Sequence, residues 1–403
     1  MSERELEPRF TRAHAALSTL AVTGTNGKTT TTSMIASIVR AAGEPDARMT
    51  TIGAFLGDER IEPAGPPLLA LVERAIERGV RTLALEVTSL ALARDFATRW
   101  PPHVAVLTNL TRDHLDVHGS PEAYLASKAR LFRALPPGGV AVLPADDEAG
   151  ELIAEVLPDG VRCLRFALDW QSPADLAAER IEVSAGGTRI VLTPSPLAAA
   201  MGGSLSLGVI GRVHAANALA AALATSAVGF APEAIVRGLG AFSGVPGRFE
   251  IVRGASGVMN RATIVVDYAH TPDGLARTLE TARAIARGRV IVVFGCGGER
   301  DRGKRPLMGA IAHAHADRVV LTSDNPRREP AAQIAAEVQR GAAGEGASWI
   351  VELDRRAAIA RALDEAREDD VVVIAGRGHE THQEIGGERV PFVDREVVLS
   401  LWR

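Results

Sequence analysis

Short, uninterrupted apolar runs alternate along this chain with longer Ala- and Leu-rich stretches of helical spacing. The runs at 83–87, 104–108, 140–143, 263–267, 290–294, 319–322 and 371–374 are mostly continuous, without the polar alternation of a half-exposed strand. Continuous runs suit strands covered on both faces, so the pattern predicts parallel α/β sheets. Between about Cys163 and Leu207 it changes to short strands and turns, at 181–184, 189–192 and 205–207. These predict a smaller β subregion at the end of the first α/β block. The Gly- and Pro-containing stretch 242–248 then marks a break. The expected organisation is a short N-terminal extension (1–18), a first α/β domain (19–244) and a second, Rossmann-like one (245–403).

One loop stands out against this background. The apolar run Leu20-Ala21-Val22 leads into Thr23-Gly24-Thr25-Asn26-Gly27-Lys28-Thr29. A helical pattern follows, with Met34, Ile35, Ile38 and Val39 on one face. Strand, glycine loop and helix in this order form a phosphate cradle. Backbone N–H groups and the helix N-terminus favour an anion, the Lys suits β- and γ-phosphates, and the Thr hydroxyl suits Mg²⁺. The spacing G-x-x-G-K-T is two residues shorter than the usual P-loop pattern when counted from Gly24. The first domain is therefore expected to be a P-loop ATPase.

Composition narrows the class. The 403 residues are 46% hydrophobic and 23% charged, ordinary globular values, with a formal net charge of −4. That balance argues against a sequence-independent grip on nucleic acid. No apolar run reaches the length of a bilayer span. The N-terminus has no secretory core, and two cysteines give no disulfide framework. A cytoplasmic protein is expected, with small-molecule partners and neither nucleic acid nor membrane.

Other polar groups stand at predicted strand ends, where ligands of open α/β sheets bind. Glu86 stands near the end of the run at 83–87, as either a metal-binding carboxylate beside the phosphate loop or a solvent-facing strand end. Asn109, Asp113, His114 and Asp116 crowd the end of another strand, a density that points to function. Lys128 sits within a helical pattern at 124–132. Read from its surroundings alone, it is a solvated surface residue.

Nine motifs in order resemble the Mur ligase family, in its UDP-N-acetylmuramoyl-tripeptide synthetase branch. They are TGTNGKTTT (23–31), LEVTS (85–89), TNLTRDHLD (108–116), YLASKARLF (124–132), VPGRFE (245–250), VVDYAHTPD (265–273), VFGCGGERDRGKRPLMG (293–309), SDNPR (323–327) and AGRGHETHQ (375–383). The resemblance implies an ATP-dependent carboxylate–amine ligase acting through an acyl phosphate. It implies that Gly24, Thr25, Asn26, Gly27, Lys28, Thr29 and Thr30 hold the ATP phosphates. Thr29 and Glu86 would ligate one Mg²⁺, and His114 with a carbamylated Lys128 a second. Lys28, His114 and Lys128 would be catalytic. Asn217 would contact adenine, and Arg248 and Asp267 would be further ATP contacts, Asp267 at the ribose. Asp324, Asn325, Arg327, Gly376 and Glu380 would contact an amino acid such as meso-diaminopimelate.

The acceptor side departs from the family. Only about twenty residues precede the phosphate loop, so the family's UDP-binding domain is expected to be absent or supplied by a partner chain. No Thr-Thr-Pro stands between the loop and Glu86. The family's Ser-Ser-His reads Thr88-Ser89-Leu90, and His214 stands where many members have Asn. An acceptor without UDP is the leading expectation. A peptidoglycan-precursor ligase and a non-catalytic ATP-binding regulator are the alternatives.

Overall fold

The computed structural model describes residues 3–62, 67–111, 113, 115–252 and 262–401. The chain forms two compact units, one from 1–111 with 118–243 and the other from 112–117 with 244–403.

The first unit is built on one sheet. Its strands are β1 (Ser18–Thr23), β2 (Ala47–Thr50), β3 (Gly53–Leu56), β4 (Glu59–Arg60), β5 (Thr82–Glu86), β6 (Val104–Leu107), β7 (Val140–Pro144), β8 (Arg162–Ala167), β9 (Leu176–Ser184), β10 (Gly187–Leu192) and β11 (Ser204–Leu207). They lie in the order β11-β10-β9-β8-β7-β6-β1-β5-β2-β3-β4. The stretch from β9 to β2 is parallel, and antiparallel hairpins close both edges. The expected small β subregion does not stand apart. Its strands pair onto β8 and extend the same sheet, because β9 runs parallel to β8 before β10 and β11 turn back.

Strand β1 is central, with Val22 opposite Glu86 on β5 and Val106 on β6. The phosphate loop therefore leaves the sheet between the ends of two buried neighbours, the usual ligand position of an open α/β sheet. The segment ahead of β1 is helical over Glu3–Ala16. It is tied down by an Arg9–Glu73 ion pair and by edge contacts of Phe10 and His14 with the buried Trp100.

The second unit holds β12 (Glu250–Val252), β13 (Thr263–Asp267), β14 (Val290–Phe294), β15 (Arg318–Leu321), β16 (Ser348–Val351) and β17 (Val371–Ala375), in the order β12-β13-β17-β14-β15-β16. Only the β12 pairing is antiparallel. Val290, Val292 and Phe294 enter one core, while Ile291 and Val293 enter another on the opposite face. Two covered faces are why β14 reads as an unbroken apolar run. A hairpin of β18 (His382–Ile385) and β19 (Glu388–Pro391) follows β17.

Candidate functional site

In the first unit the loop after β1 is held by the loop after β6. Asn109 accepts from the Asn26 N–H at 3.0 Å and donates to the Asn26 carbonyl at 3.1 Å. Thr108 Oγ1 donates to the same carbonyl at 2.6 Å. Two glycines let the backbone take this path. Gly24 and Gly27 have φ of +148° and +85°. A Cβ on Gly24 would lie 1.9 Å from Thr108 Oγ1, and one on Gly27 2.3 Å from Asn217 Oδ1. Helix Lys28–Ala41 starts directly after Gly27, so the N–H groups of its first turn have no intrahelical acceptors. Thr29 and Thr30 occupy that turn and are buried.

Lys28 Nζ donates to the carbonyls of Gly24 (3.1 Å) and Thr25 (2.8 Å). Lys128 also reaches the Gly24 carbonyl, at 2.7 Å, with its ammonium over the Tyr124 ring at 4.3 Å. Lys128 is 1% exposed, which corrects its reading as a surface residue. Helix Pro121–Arg133 buries Tyr124, Ser127, Lys128, Leu131 and Phe132 on one stripe, and the lysine falls within it.

The Thr29 hydroxyl donates to Glu86 Oε2 at 2.8 Å, and the Thr51 N–H donates to the same oxygen at 3.0 Å. A hydroxyl and a carboxylate meeting beside a phosphate loop fit a hard divalent cation such as Mg²⁺. Among the described residues no three His, Cys, Asp or Glu side chains gather in a metal-binding cluster. The expected set has a different chemistry, and His114, one of its members, lies outside the described residues.

Asn217 is buried on helix Arg212–Ala227, and its Nδ2 has no hydrogen-bond partner among the described residues. An unsatisfied buried donor beside the phosphate loop fits a nucleobase acceptor. His214, one turn earlier, is also buried. Neither ring nitrogen is paired among the described residues, and burial pushes its pKa down to about 4.

In the second unit the expected amino-acid contacts gather at the ends of β15 and β17, which flank β14. Asn325 is fixed in orientation. Its Oδ1 accepts from Arg377 (2.9 Å) and from the Glu384 N–H (2.8 Å), so its Nδ2 faces Glu380 Oε2 at 2.8 Å. Arg327 donates through Nε to Glu384 (3.0 Å) and through a terminal nitrogen to the Gly298 carbonyl (2.6 Å). Gly376 has φ +109°, and a Cβ there would lie 2.5 Å from Asp324 Oδ2. Burial first, and then the charge of Asp324, raise the Glu380 pKa. Tyr268, Cys296, Asp324, Arg327, Gly376 and Glu380 are among the residues lining a cavity of about 170 Å³. Asp324, Glu380 and Arg327 share this lining with Asp113, Asp301, Arg300 and Lys304, and carboxylates and cations around one cavity complement a group that is both ammonium and carboxylate.

Asp267 ends β13, and its carboxylate is engaged by the N–H groups of Phe249 (2.6 Å) and Ala269 (2.9 Å) and by the Thr278 hydroxyl (2.8 Å). Burial nonetheless raises its pKa. Arg248 stacks on Tyr268 at 4.3 Å.

Several participants escape a sequence reading. Thr51 comes from a hairpin edge, and Tyr124 supports Lys128 with its ring. Arg377 and Glu384 act through long-range pairing. Tyr124 and Arg377 lie within quoted motifs and Asn109 directly follows a buried strand, but none of these signals names the partner.

Among the described residues no helix is long and apolar enough to cross a membrane. Residues 22–225 match the model of the Mur ligase middle domain, and 247–378 that of the Mur ligase glutamate ligase domain. The chain is 43% identical over 386 residues to the UDP-N-acetylmuramoyl-L-alanyl-D-glutamate–2,6-diaminopimelate ligase of Thermosynechococcus vestitus, covering 94% of this chain and 76% of the relative. A solved structure of a ligase with the same description aligns with a TM-score of 0.65 at 35% identity, over 96% of this chain and 78% of the other. The folylpolyglutamate synthase of Mycobacterium tuberculosis shares the fold, with a TM-score of 0.68 at 20% identity over 92% of each chain.

Proposed function

Because the chain belongs to the Mur ligase family and is an ATP-dependent acid–amino-acid ligase, we propose that it joins 2,6-diaminopimelate to a carboxylate acceptor through an acyl phosphate. The observation that carries the amine assignment is the Asp324–Arg327–Glu380 cavity. Diaminopimelate has two amino-acid ends. While one amine reacts, the other end presents an ammonium to Asp324 and Glu380 and a carboxylate to Arg327. Lysine offers the ammonium alone and leaves the half-buried Arg327 without a carboxylate from the substrate, a difference that favours discrimination.

The acceptor's carboxylate oxygen attacks the γ-phosphorus of ATP, and ADP leaves. The amine then attacks the acyl carbon, phosphate leaves, and the amine gives up a proton as the amide forms. The phosphate loop and Lys28 hold and neutralise the transferring group. Thr29 and Glu86 are suited to hold Mg²⁺, which supplies charge stabilisation when bound. We assign Asn217 to the adenine. Lys128 is proposed to be carbamylated, with His114 as its partner at a second metal. Its place in the fold supports this. Two ammonium groups directed at the Gly24 carbonyl repel, whereas a carbamate beside Lys28 attracts.

One observation favours an acceptor different from the nucleotide-linked peptide in the relatives' names. Helix Ser89–Ala93, capped by Thr88 two residues after Glu86, presents Leu90 at 41% exposure, where the family motif has a polar imidazole. An apolar side chain suits a less polar acceptor. The test is product mass spectrometry with ATP, Mg²⁺ and bicarbonate. Diaminopimelate and lysine are each paired with a free γ-carboxyl dipeptide and with UDP-N-acetylmuramoyl dipeptide. An amide with diaminopimelate is expected. Preference for lysine sinks the amine assignment, and exclusive use of the UDP-linked acceptor sinks the acceptor assignment.

A further inference from the structure

We propose that Arg305 is a positioning residue that holds Arg327 in place and thereby sets selectivity for an amino acid with a second carboxylate; this rests on Arg327 being that carboxylate's contact. Arg305 stands in the first turn of helix Lys304–His315. Its side chain is fully buried and lies outside the cavity lining, so it acts only through other groups.

Its guanidinium ties together two loops that leave the adjacent parallel strands β14 and β15. One terminal nitrogen donates to Glu329 Oε2 at 2.9 Å and Glu337 Oε2 at 2.7 Å. The other donates to Glu329 Oε1 at 3.0 Å and the Gly297 carbonyl at 3.1 Å. Glu329 passes the constraint on by accepting from the Glu299 N–H. Between these anchors Gly298 is fixed on both sides: its N–H donates to the Asn325 carbonyl at 2.9 Å, and its carbonyl accepts from Arg327 at 2.6 Å. Glu299 and Arg327 both hold a left-handed backbone, φ +53° and +54°. Non-glycine residues keep that conformation only where the surroundings over-determine it. Arg305 is the one buried cation that touches both loops among the described residues. A lysine keeps the charge but cannot satisfy two carboxylates and a carbonyl from a planar fork. The loops then relax and Arg327 loses its fixed place.

The test compares R305K, E329Q and R327K with the parent chain, measuring kcat, KM for diaminopimelate, KM for ATP, and the preference for diaminopimelate over lysine. Misplacing a contact by a fraction of an ångström predicts, for R305K and E329Q, KM for diaminopimelate raised about tenfold and preference reduced about tenfold. KM for ATP and kcat stay within about twofold, since neither residue meets the nucleotide machinery. Lower thermal stability with unchanged KM and preference means that Arg305 is only structural and overturns the proposal. If R305K does not fold, E329Q alone decides it. An R327K enzyme with unaltered KM for diaminopimelate removes the carboxylate reading itself, an outcome distinct from failure at Arg305.

Discussion

Lys28 and Lys128, a hundred residues apart, donate to the same carbonyl oxygen, that of Gly24, at 3.1 and 2.7 Å. One comes from the loop's own helix and the other from the buried stripe of helix Pro121–Arg133. The Gly24 peptide is thus the meeting point of the lysine proposed to hold the phosphates and the lysine proposed to carry a carbamate. Lys28→Ala is expected to lower kcat by at least about a thousandfold, the scale of a charge clamp on a transferring phosphoryl group. Lys128→Ala is expected to do the same and to recover partly with added formate or acetate, which restore a carboxylate near the metal. Full activity of Lys128→Ala in a coupled ADP-release assay contradicts the carbamate assignment.

Glu86 accepts from both Thr29 and Thr51. Glu86→Gln keeps an acceptor of similar shape and loses the charge, so the fold is expected to survive. The Mg²⁺ concentration for half-maximal activity should rise about tenfold or more, with a smaller change in KM for the amino acid. Equal Mg²⁺ dependence in parent and variant, measured at saturating ATP, would falsify the metal role.

Gly376 cannot carry a side chain where it stands, with φ +109° and Asp324 Oδ2 in the path of a Cβ. Gly376→Ala should cost about 1–3 kcal/mol in denaturant unfolding from backbone strain alone. It should also displace Asp324, raising KM for diaminopimelate more than KM for ATP. A variant with native stability and native KM would show that the β17 end yields more than the geometry indicates.

Much of this is legible in the sequence, for physical reasons that particular residues expose. The run at 290–294 is continuous because its odd and even positions enter different cores, and periodicity carries that information. Lys128 shows what was missed although present. Tyr124, Ser127, Lys128, Leu131 and Phe132 follow the spacing of a buried stripe, yet a lysine on such a stripe reads as solvated until its acceptor is known. That acceptor, the Gly24 carbonyl, is 104 positions away. The hairpin β3–β4 and its neighbour β2 were invisible because short edge strands need no apolar run. Glu384 and Arg377 lie within or beside a recognised motif, but their hold on Asn325 and Arg327 depends on how two strand ends meet in space.

His214 is expected to make the protein's stability depend on pH in the mildly acidic range. Burial holds its pKa at about 4 in the folded chain, against about 6.5 unfolded, so the unfolded state binds the extra proton first. This contribution to stability is fully present above about pH 6.5. It declines as pH falls from there toward 4, by up to about 3 kcal/mol for a shift of this size. His214→Asn removes the titrating group while keeping a polar side chain of the type that many family members carry. Chemical denaturation at pH 7.5 and 5.0 is the measurement. The parent should lose distinctly more stability than His214→Asn across that interval. Equal losses would mean that the imidazole is hydrated in the folded state and its burial costs the protonated form little.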